Sequence, residues 1–253
     1  MSTVGECAAI APGIELGYAG QACGKSLSED FFDCACPQPQ DARAAGLVFA
    51  LADGMSGGAG RRAAEMCVRS VLSDYYGASS SWEVGRKLEK IIGSVNAWLV
   101  SHNARAAEAQ CMLSTLTVLV VHGATFHIAH VGDSRIYRIR RSQCECMTTD
   151  HVWPRSDMRH VLRRAVGLDH HLVVDCFSGD LSPGDRFVMM TDGVWEVLGE
   201  EVLARTLSDA NPPNDLANAL VRASVERQRG YFGRNDATAA VIVVRALDEA
   251  GGQ

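Results

Sequence analysis

Polar and apolar positions follow two different periods along this chain. Apolar runs rich in Val, Ile, Leu and Phe occupy Gly13 to Ala19, Gly46 to Ala52, Leu116 to His122, Thr125 to Val131, Arg135 to Arg140, Leu172 to Phe177, Arg186 to Thr191 and Thr238 to Arg245, which predicts eight strands. Short turns such as His122-Gly123-Ala124 and Gly132-Asp133-Ser134 join several of them, so hairpins and antiparallel pairing are expected. Elsewhere Ala64, Cys67, Val68, Val71, Leu72 and Tyr75 recur at helical spacing, as do Val84, Leu88, Ile91, Ile92, Val95, Trp98 and Leu99. A weaker stripe, Leu216, Leu220 and Ala223, follows the Pro212-Pro213 stop signal. Two long helices followed by a meander of strands read as α+β. So many strands need two sheets, each covered by helices, which predicts a four-layer αββα sandwich of two antiparallel β-sheets flanked by helices. With no internal repeat and no low-complexity linker, residues 1–253 are read as one domain.

At 253 residues and 47% hydrophobic the chain has ample material for a buried core, which excludes disorder, collagen and coiled coil. Thirty acidic against 24 basic side chains, a net charge of −6, argue against nucleic acid or an anionic membrane surface as partner. The longest apolar runs, Leu116 to Val121 and Ala237 to Val244, are too short to insert in a membrane. Met1 to Gly24 shows no basic start followed by an apolar stretch, so a reducing, cytoplasmic location is expected. Nine cysteines are an odd number, and the pairs Cys34/Cys36 and Cys144/Cys146 lack the spacing of zinc sites; they are read as reduced and mostly structural.

Chemistry enters where apolar strands end on an aspartate beside a glycine: Ala52-Asp53-Gly54, Val131-Gly132-Asp133 and Thr191-Asp192-Gly193. One Asp-Gly is an ordinary turn. Three of them, each closing a run too apolar for a surface hairpin, suggest carboxylates that something must compensate. Glu29-Asp30 and Asn235-Asp236 add to the set. Oxygen donors without His or Cys suit Mg²⁺ or Mn²⁺. A pair of such ions can share a bridging carboxylate, activate water and neutralise a phosphoryl group under in-line attack.

Glu29-Asp30, Asp53-Gly54-Met55-Ser56-Gly57-Gly58, Met112-Leu113-Ser114-Thr115, Val131-Gly132-Asp133-Ser134-Arg135, Thr148-Thr149-Asp150-His151, Arg164-Ala165-Val166-Gly167, Thr191-Asp192-Gly193-Val194-Trp195-Glu196 and Asn235-Asp236-Ala237-Thr238 together resemble the ordered motifs of the metal-dependent protein phosphatases of type 2C, with Met55 similar to bacterial members. The resemblance implies the αββα fold and hydrolysis of phosphoserine or phosphothreonine by a metal-activated water, without a phosphoenzyme. It implies Asp53 as the carboxylate bridging two Mn²⁺ or Mg²⁺ ions, the Gly54 carbonyl as a ligand of one, and Asp192 as a ligand of the other. Glu29 and Asp30 would hold metal-bound waters or a metal, and Asp133 would share a third, weaker ion with Asp192. Phosphorylated proteins are then the substrates, a serine/threonine kinase the opposing activity, and a monomer the expected state.

The sequence departs from the family pattern in four places. Lys25 stands where the family has a phosphate-gripping arginine, a point charge in place of a bidentate fork. Ser56 replaces a loop glycine. Asn235-Asp236 inverts the usual Asp-Asn order; in strict register Asn235 is the metal ligand, while a bulge at the strand start would bring in Asp236, to which the ligand role is assigned. The flap, about 152–163, is short and basic, with Trp153, Arg155, Arg159, Arg163 and Arg164 either solvated or facing a phosphorylated partner. His151 is read as a structural hydrogen-bonding group in preference to a general acid. The alternatives are a catalytically weakened, phosphatase-like binding or regulatory module, favoured by Lys25 and Asn235, and a phosphomonoesterase of small metabolites.

Overall fold

The computed structural model describes residues 3–4, 8–11, 13–35, 37, 41, 45–55, 59–141, 143–155, 157–158, 161–208, 211–230 and 234–247. Twelve strands and four long helices are assigned among them. In chain order the strands are β1 (Thr3–Val4), β2 (Ala8–Ala11), β3 (Ile14–Gln21), β4 (Asp30–Ala35), β5 (Leu47–Asp53), β6 (Leu116–His122), β7 (Thr125–Val131), β8 (Arg135–Arg140), β9 (Gln143–Cys146), β10 (Asp175–Asp180), β11 (Arg186–Met190) and β12 (Ala237–Val244). The helices are α1 (Gly60–Gly77), α2 (Val84–Asn103), α3 (Asp192–Ser208) and α4 (Pro213–Arg227). The α+β class expected from the sequence is what the chain has.

The chain forms two compact units, one of residues Met1–Ser28, Arg135–Thr148 and Asp180–Gln253, the other of Glu29–Ser134 and Thr149–Gly179. The second unit is the simpler. Its five-stranded sheet runs β10-β7-β6-β5-β4, with antiparallel registers from β4 through β7. The two predicted helical stripes are α1 and α2; Ala64, Cys67, Val68 and Val71 of the first meet Leu88, Ile92, Val95 and Leu99 of the second over Val48, Ala50, Val118 and Val120 of the sheet. Each aliphatic side chain buried there contributes about 1.5–3 kcal/mol relative to exposure. Tyr75 donates to the Ala45 carbonyl at 2.9 Å, and the Lys87 ammonium lies 4.6 Å from the Tyr75 ring centre, tying the two helices together.

The first unit holds a sheet in the order β1-β3-β12-β11-β8-β9, with β2 also paired to β3. All its assigned pairings are antiparallel. Val188, Met190, Ala239, Val241 and Val243 pack on Leu203 and Leu207 of α3 and on Leu216 and Leu220 of α4. The Arg140 guanidinium closes on the buried Asp185 carboxylate, which also accepts the Ser182 N–H at 2.8 Å.

Three differences from the sequence expectation have physical reasons. Helix α3 was not predicted, because its buried positions Val194, Leu198, Leu203 and Leu207 change spacing across Gly199, whose φ of 72° breaks the helix. Strand β4 carries Asp33 within an apolar run and β9 is exposed along its whole length, so neither shows a strand pattern. The run Leu172 to Phe177 forms a strand only from Asp175 onward, since Leu172 and Val174 pack onto the helical core from a loop.

Candidate active site

In the Glu29–Ser134 unit, register brings acidic groups together. Asp30 opens β4 and Asp53 closes β5, and the antiparallel pairing sets them directly opposite one another. Like charges in that relation repel, and Asp30 is only 3% exposed, so two carboxylates are crowded at one end of the sheet. Next to them, Gly60 has no side chain for a reason: a Cβ there would sit 2.8 Å from Glu29 Oε1, 2.7 Å from the Gly54 carbonyl oxygen and 2.6 Å from that of Met55. Three oxygens thus surround one point, and only glycine leaves room for them. Arg61, one residue on, donates to the Asp30 carbonyl at 3.0 Å and lies 4.9 Å above the Phe31 ring, bracing the start of β4.

The main chain at Asp53 is held from the other side. Its N–H donates to Thr115 Oγ1 at 2.8 Å, and its carbonyl accepts the Thr115 N–H and the Ser114 hydroxyl, each at 2.9 Å. Thr115 Oγ1 also bonds the Ser134 hydroxyl at 3.0 Å, which joins the Asp53 turn to the one carrying Asp133. Gly132 reaches that turn with a φ of 111°, and a Cβ there would meet Thr115 Cβ at 2.5 Å.

His151 fastens the same turn. Its Nδ1 accepts the Gly132 N–H at 3.1 Å, its own N–H donates to the Gly132 carbonyl at 2.7 Å, and its Nε2 lies 3.0 Å from Asp175 Oδ2. Nδ1 is therefore the acceptor and Nε2 carries the proton. Burial holds its pKa below the ordinary histidine value, although Asp175 opposes the shift. Asp175 is raised by burial, but its hydrogen bonds from His151 and Arg164 outweigh this and keep it below the usual range. Arg164 donates to Asp175 Oδ1 at 2.8 Å, so this half-buried arginine is paired within the chain. The flap itself is pinned by the Trp153 N–H on the Val161 carbonyl; Trp153 and Arg155 are exposed, and Arg155 pairs with Asp157. Arg159 lies outside the described residues, as do Ser56, Gly57 and Gly58 of the Asp53 loop.

The other unit carries Asp192, Asn235, Asp236 and Lys25. Asp192 begins α3, and Asn235 reaches it, its Nδ2 donating to Asp192 Oδ2 at 3.0 Å. Asp236 turns the opposite way: Oδ1 accepts the Cys23 N–H at 2.7 Å and Oδ2 lies 3.7 Å from Lys25 Nζ. Several contacts hold this register. Thr191 and Thr238 exchange hydrogen bonds at 3.1 and 3.2 Å, Ala237 pairs with Gln21, and the Asp236 carbonyl comes so close to Gly193 that a Cβ there would lie 2.0 Å from it. Beneath this turn Ser224 and Gln228 donate to the Gly193 carbonyl, while Gln228 Oε1 accepts the Asn235 N–H at 2.8 Å.

The donors of the Asp53 turn are carboxylates and main-chain carbonyls, the oxygen ligands that hard divalent cations take, although no group of three or more His, Cys, Asp or Glu side chains among the described residues is gathered closely enough to hold a metal ion by itself. Sequence reasoning missed the bracing groups, Arg61, Asp175, Ser224 and Gln228. Asp175 sits in a run read only for its apolar members, and Gln228 gives no local signal.

The model of one protein family, protein phosphatase 2C, matches residues 26–228. The chain belongs to the protein phosphatase 2C family. It is 26% identical over 221 residues to the serine/threonine phosphatase stp of Listeria monocytogenes, covering 79% of this chain and 85% of that one. The serine/threonine protein phosphatase PstP of Mycobacterium tuberculosis is 22% identical over 175 residues, 63% of this chain and 34% of its own length. Among solved structures of similar fold, the serine/threonine phosphatase Stp1 of Staphylococcus aureus superimposes with a TM-score of 0.78 at 20% identity, over 92% of this chain and 96% of that one. PppA of Pseudomonas aeruginosa gives 0.75 at 23%, over 91% and 97%. This protein phosphatase 2C chain is a protein serine/threonine phosphatase with the fold of those structures. No helix among its described residues is long and apolar enough to cross a membrane.

Proposed function

We propose that the chain hydrolyses phosphoserine and phosphothreonine in proteins with two Mn²⁺ or Mg²⁺ ions, its 253 residues acting as one catalytic domain. The observation that carries this is the opposed pair Asp30 and Asp53 beside the three oxygens of Glu29, Gly54 and Met55. Divalent ions, when bound, lower the pKa of water and neutralise phosphoryl charge. The chain's own part is to hold donors rigidly. Asp53, Gly54, Glu29, Asp30 and Asp192 are the proposed metal-holding groups, Asp133 serves a third ion, and Lys25 draws in the phosphate. Thr115, Ser114 and Arg61 fix the main chain that carries the first four, so little reorganisation is needed during turnover. The substrates are phosphoproteins made by a serine/threonine kinase, and the protein works in the cytoplasm as a monomer.

The test is hydrolysis of a phosphothreonine peptide by the metal-stripped protein with Mn²⁺ added back. Activity should appear with the metal, vanish with EDTA, and fall by at least about a hundredfold in Asp53→Asn. Full activity in that variant, or none in the wild type, would refute the proposal. Asn235 beside Asp192 favours a second reading, a weakened phosphatase-like module that binds phosphoproteins, and the same wild-type assay separates the two.

A further inference from the structure

Two departures from the family pattern, Lys25 and the inverted Asn235-Asp236, meet in one contact. The usual order would put a carboxylate beside Asp192 and a neutral amide at the next position. Here Asn235 Nδ2 lies 3.0 Å from Asp192 Oδ2, and the carboxylate of Asp236 lies 3.7 Å from Lys25 Nζ. The Asp236 side chain is 3% exposed and tethered by the Cys23 N–H at 2.7 Å, while that of Lys25 is 36% exposed on a flexible stem. The paired threonines and the close Gly193 approach prevent a slip that would exchange the two side chains.

We propose that the inversion transfers one negative charge from the metal side of the site to the phosphate side, making Asp236 the residue that sets the strength of phosphate binding. The inference rests on the proposed roles of Asp192 and Lys25. An amide oxygen at position 235 is a weaker donor to a hard cation than a carboxylate, because affinity at such sites follows the charge of the donor set. A fixed carboxylate beside Lys25 competes with an incoming phosphate for the same ammonium. The lysine already lacks the bidentate fork of an arginine, so both changes act in one direction. Substrate is held loosely and inorganic phosphate leaves readily.

The decisive variant exchanges the two residues, Asn235→Asp with Asp236→Asn, at unchanged composition and net charge. Each single change accompanies it. Asn at position 236 keeps an oxygen to accept the Cys23 N–H, so the turn is preserved. Mn²⁺ binding and inorganic phosphate binding are measured by calorimetry on the full chain, the latter with Mn²⁺ saturating. Asn235→Asp should tighten Mn²⁺ about tenfold or more. Asp236→Asn should leave Mn²⁺ affinity within about twofold and tighten phosphate about three- to fivefold, an effect that disappears in a Lys25→Ala background. The exchange variant should show both gains. Weaker Mn²⁺ binding in Asp236→Asn would make Asp236 the metal ligand and overturn the inference; so would unchanged or weaker phosphate binding. These titrations read binding alone, so they stand or fall independently of peptide hydrolysis.

Discussion

One buried histidine should make this protein less stable in acid. His130 is fully buried, with Nδ1 2.9 Å from Thr117 Oγ1 and its ring 4.8 Å from that of His151. Burial, and then the neighbouring His151, push its pKa down from 6.5 to about 4, against the opposing pull of Asp175 and Asp150. The folded value lies below the unfolded one, so the unfolded chain takes up the proton first as pH falls. The stability present above about pH 6.5 is lost on the way down to about pH 4. For the 6.5 to 4 shift the loss is about 2 kcal/mol by pH 5 and about 3 kcal/mol by pH 4. Urea unfolding of the wild type and of His130→Asn, followed from about pH 7.5 to about pH 5, reads this directly. The asparagine keeps an acceptor for Thr117 but leaves a cavity, which lowers stability equally at every pH. The gap between the two proteins should therefore narrow by about 2 kcal/mol across the range. A gap that stays constant would mean that His130 does not titrate differently in the two states, and the reasoning would fail. His151, shifted in the same direction, remains in both proteins and cancels in the comparison to first order.

Three other substitutions probe the framework. Gly132→Ala adds a methyl group 2.5 Å from Thr115 Cβ on a backbone with φ of 111°, and should cost about 2–4 kcal/mol, read as a lower thermal midpoint. Arg140→Ala strips the partner from buried Asp185 and should cost about 2–4 kcal/mol in urea unfolding, whereas Arg138→Ala, which breaks a pair with the exposed Glu145, should cost less than about 1 kcal/mol.

The fold was legible wherever a periodic stripe faced a single core. Leu116–His122, Thr125–Val131 and Arg135–Arg140 fall where the apolar runs placed them, and α1, α2 and α4 follow their stripes. Helix α3 was hidden because a left-handed glycine shifts its phase midway. At the candidate site, Asp53, Asp133 and Asp192 stood out because an acid after an apolar strand is locally conspicuous. What the sequence could not convey was pairing. That Asp30 faces Asp53, that Asn235 reaches Asp192 while Asp236 turns to Lys25, and that Arg164 points inward to Asp175 all depend on register or on partners far along the chain. His151 was read as structural from base expectation, and its bonds to Gly132 and Asp175 supply the particular task.

The position of β12 bears on how the protein is made. This strand, Ala237–Val244, is the last described one in the chain, yet it lies between β3 and β11 in the middle of its sheet. On the ribosome β3 emerges well ahead of β12 and waits, with the edge meant for β12 open, until Ala237–Val244 has been translated. The β4–β7 sheet needs no such wait, since its neighbours in that stretch are successive strands. Synthesis should therefore deliver a nascent chain with one sheet closed and the other split in two. Premature termination before Ala237 would leave exposed strand edges of the kind that chaperones capture and that aggregates grow from.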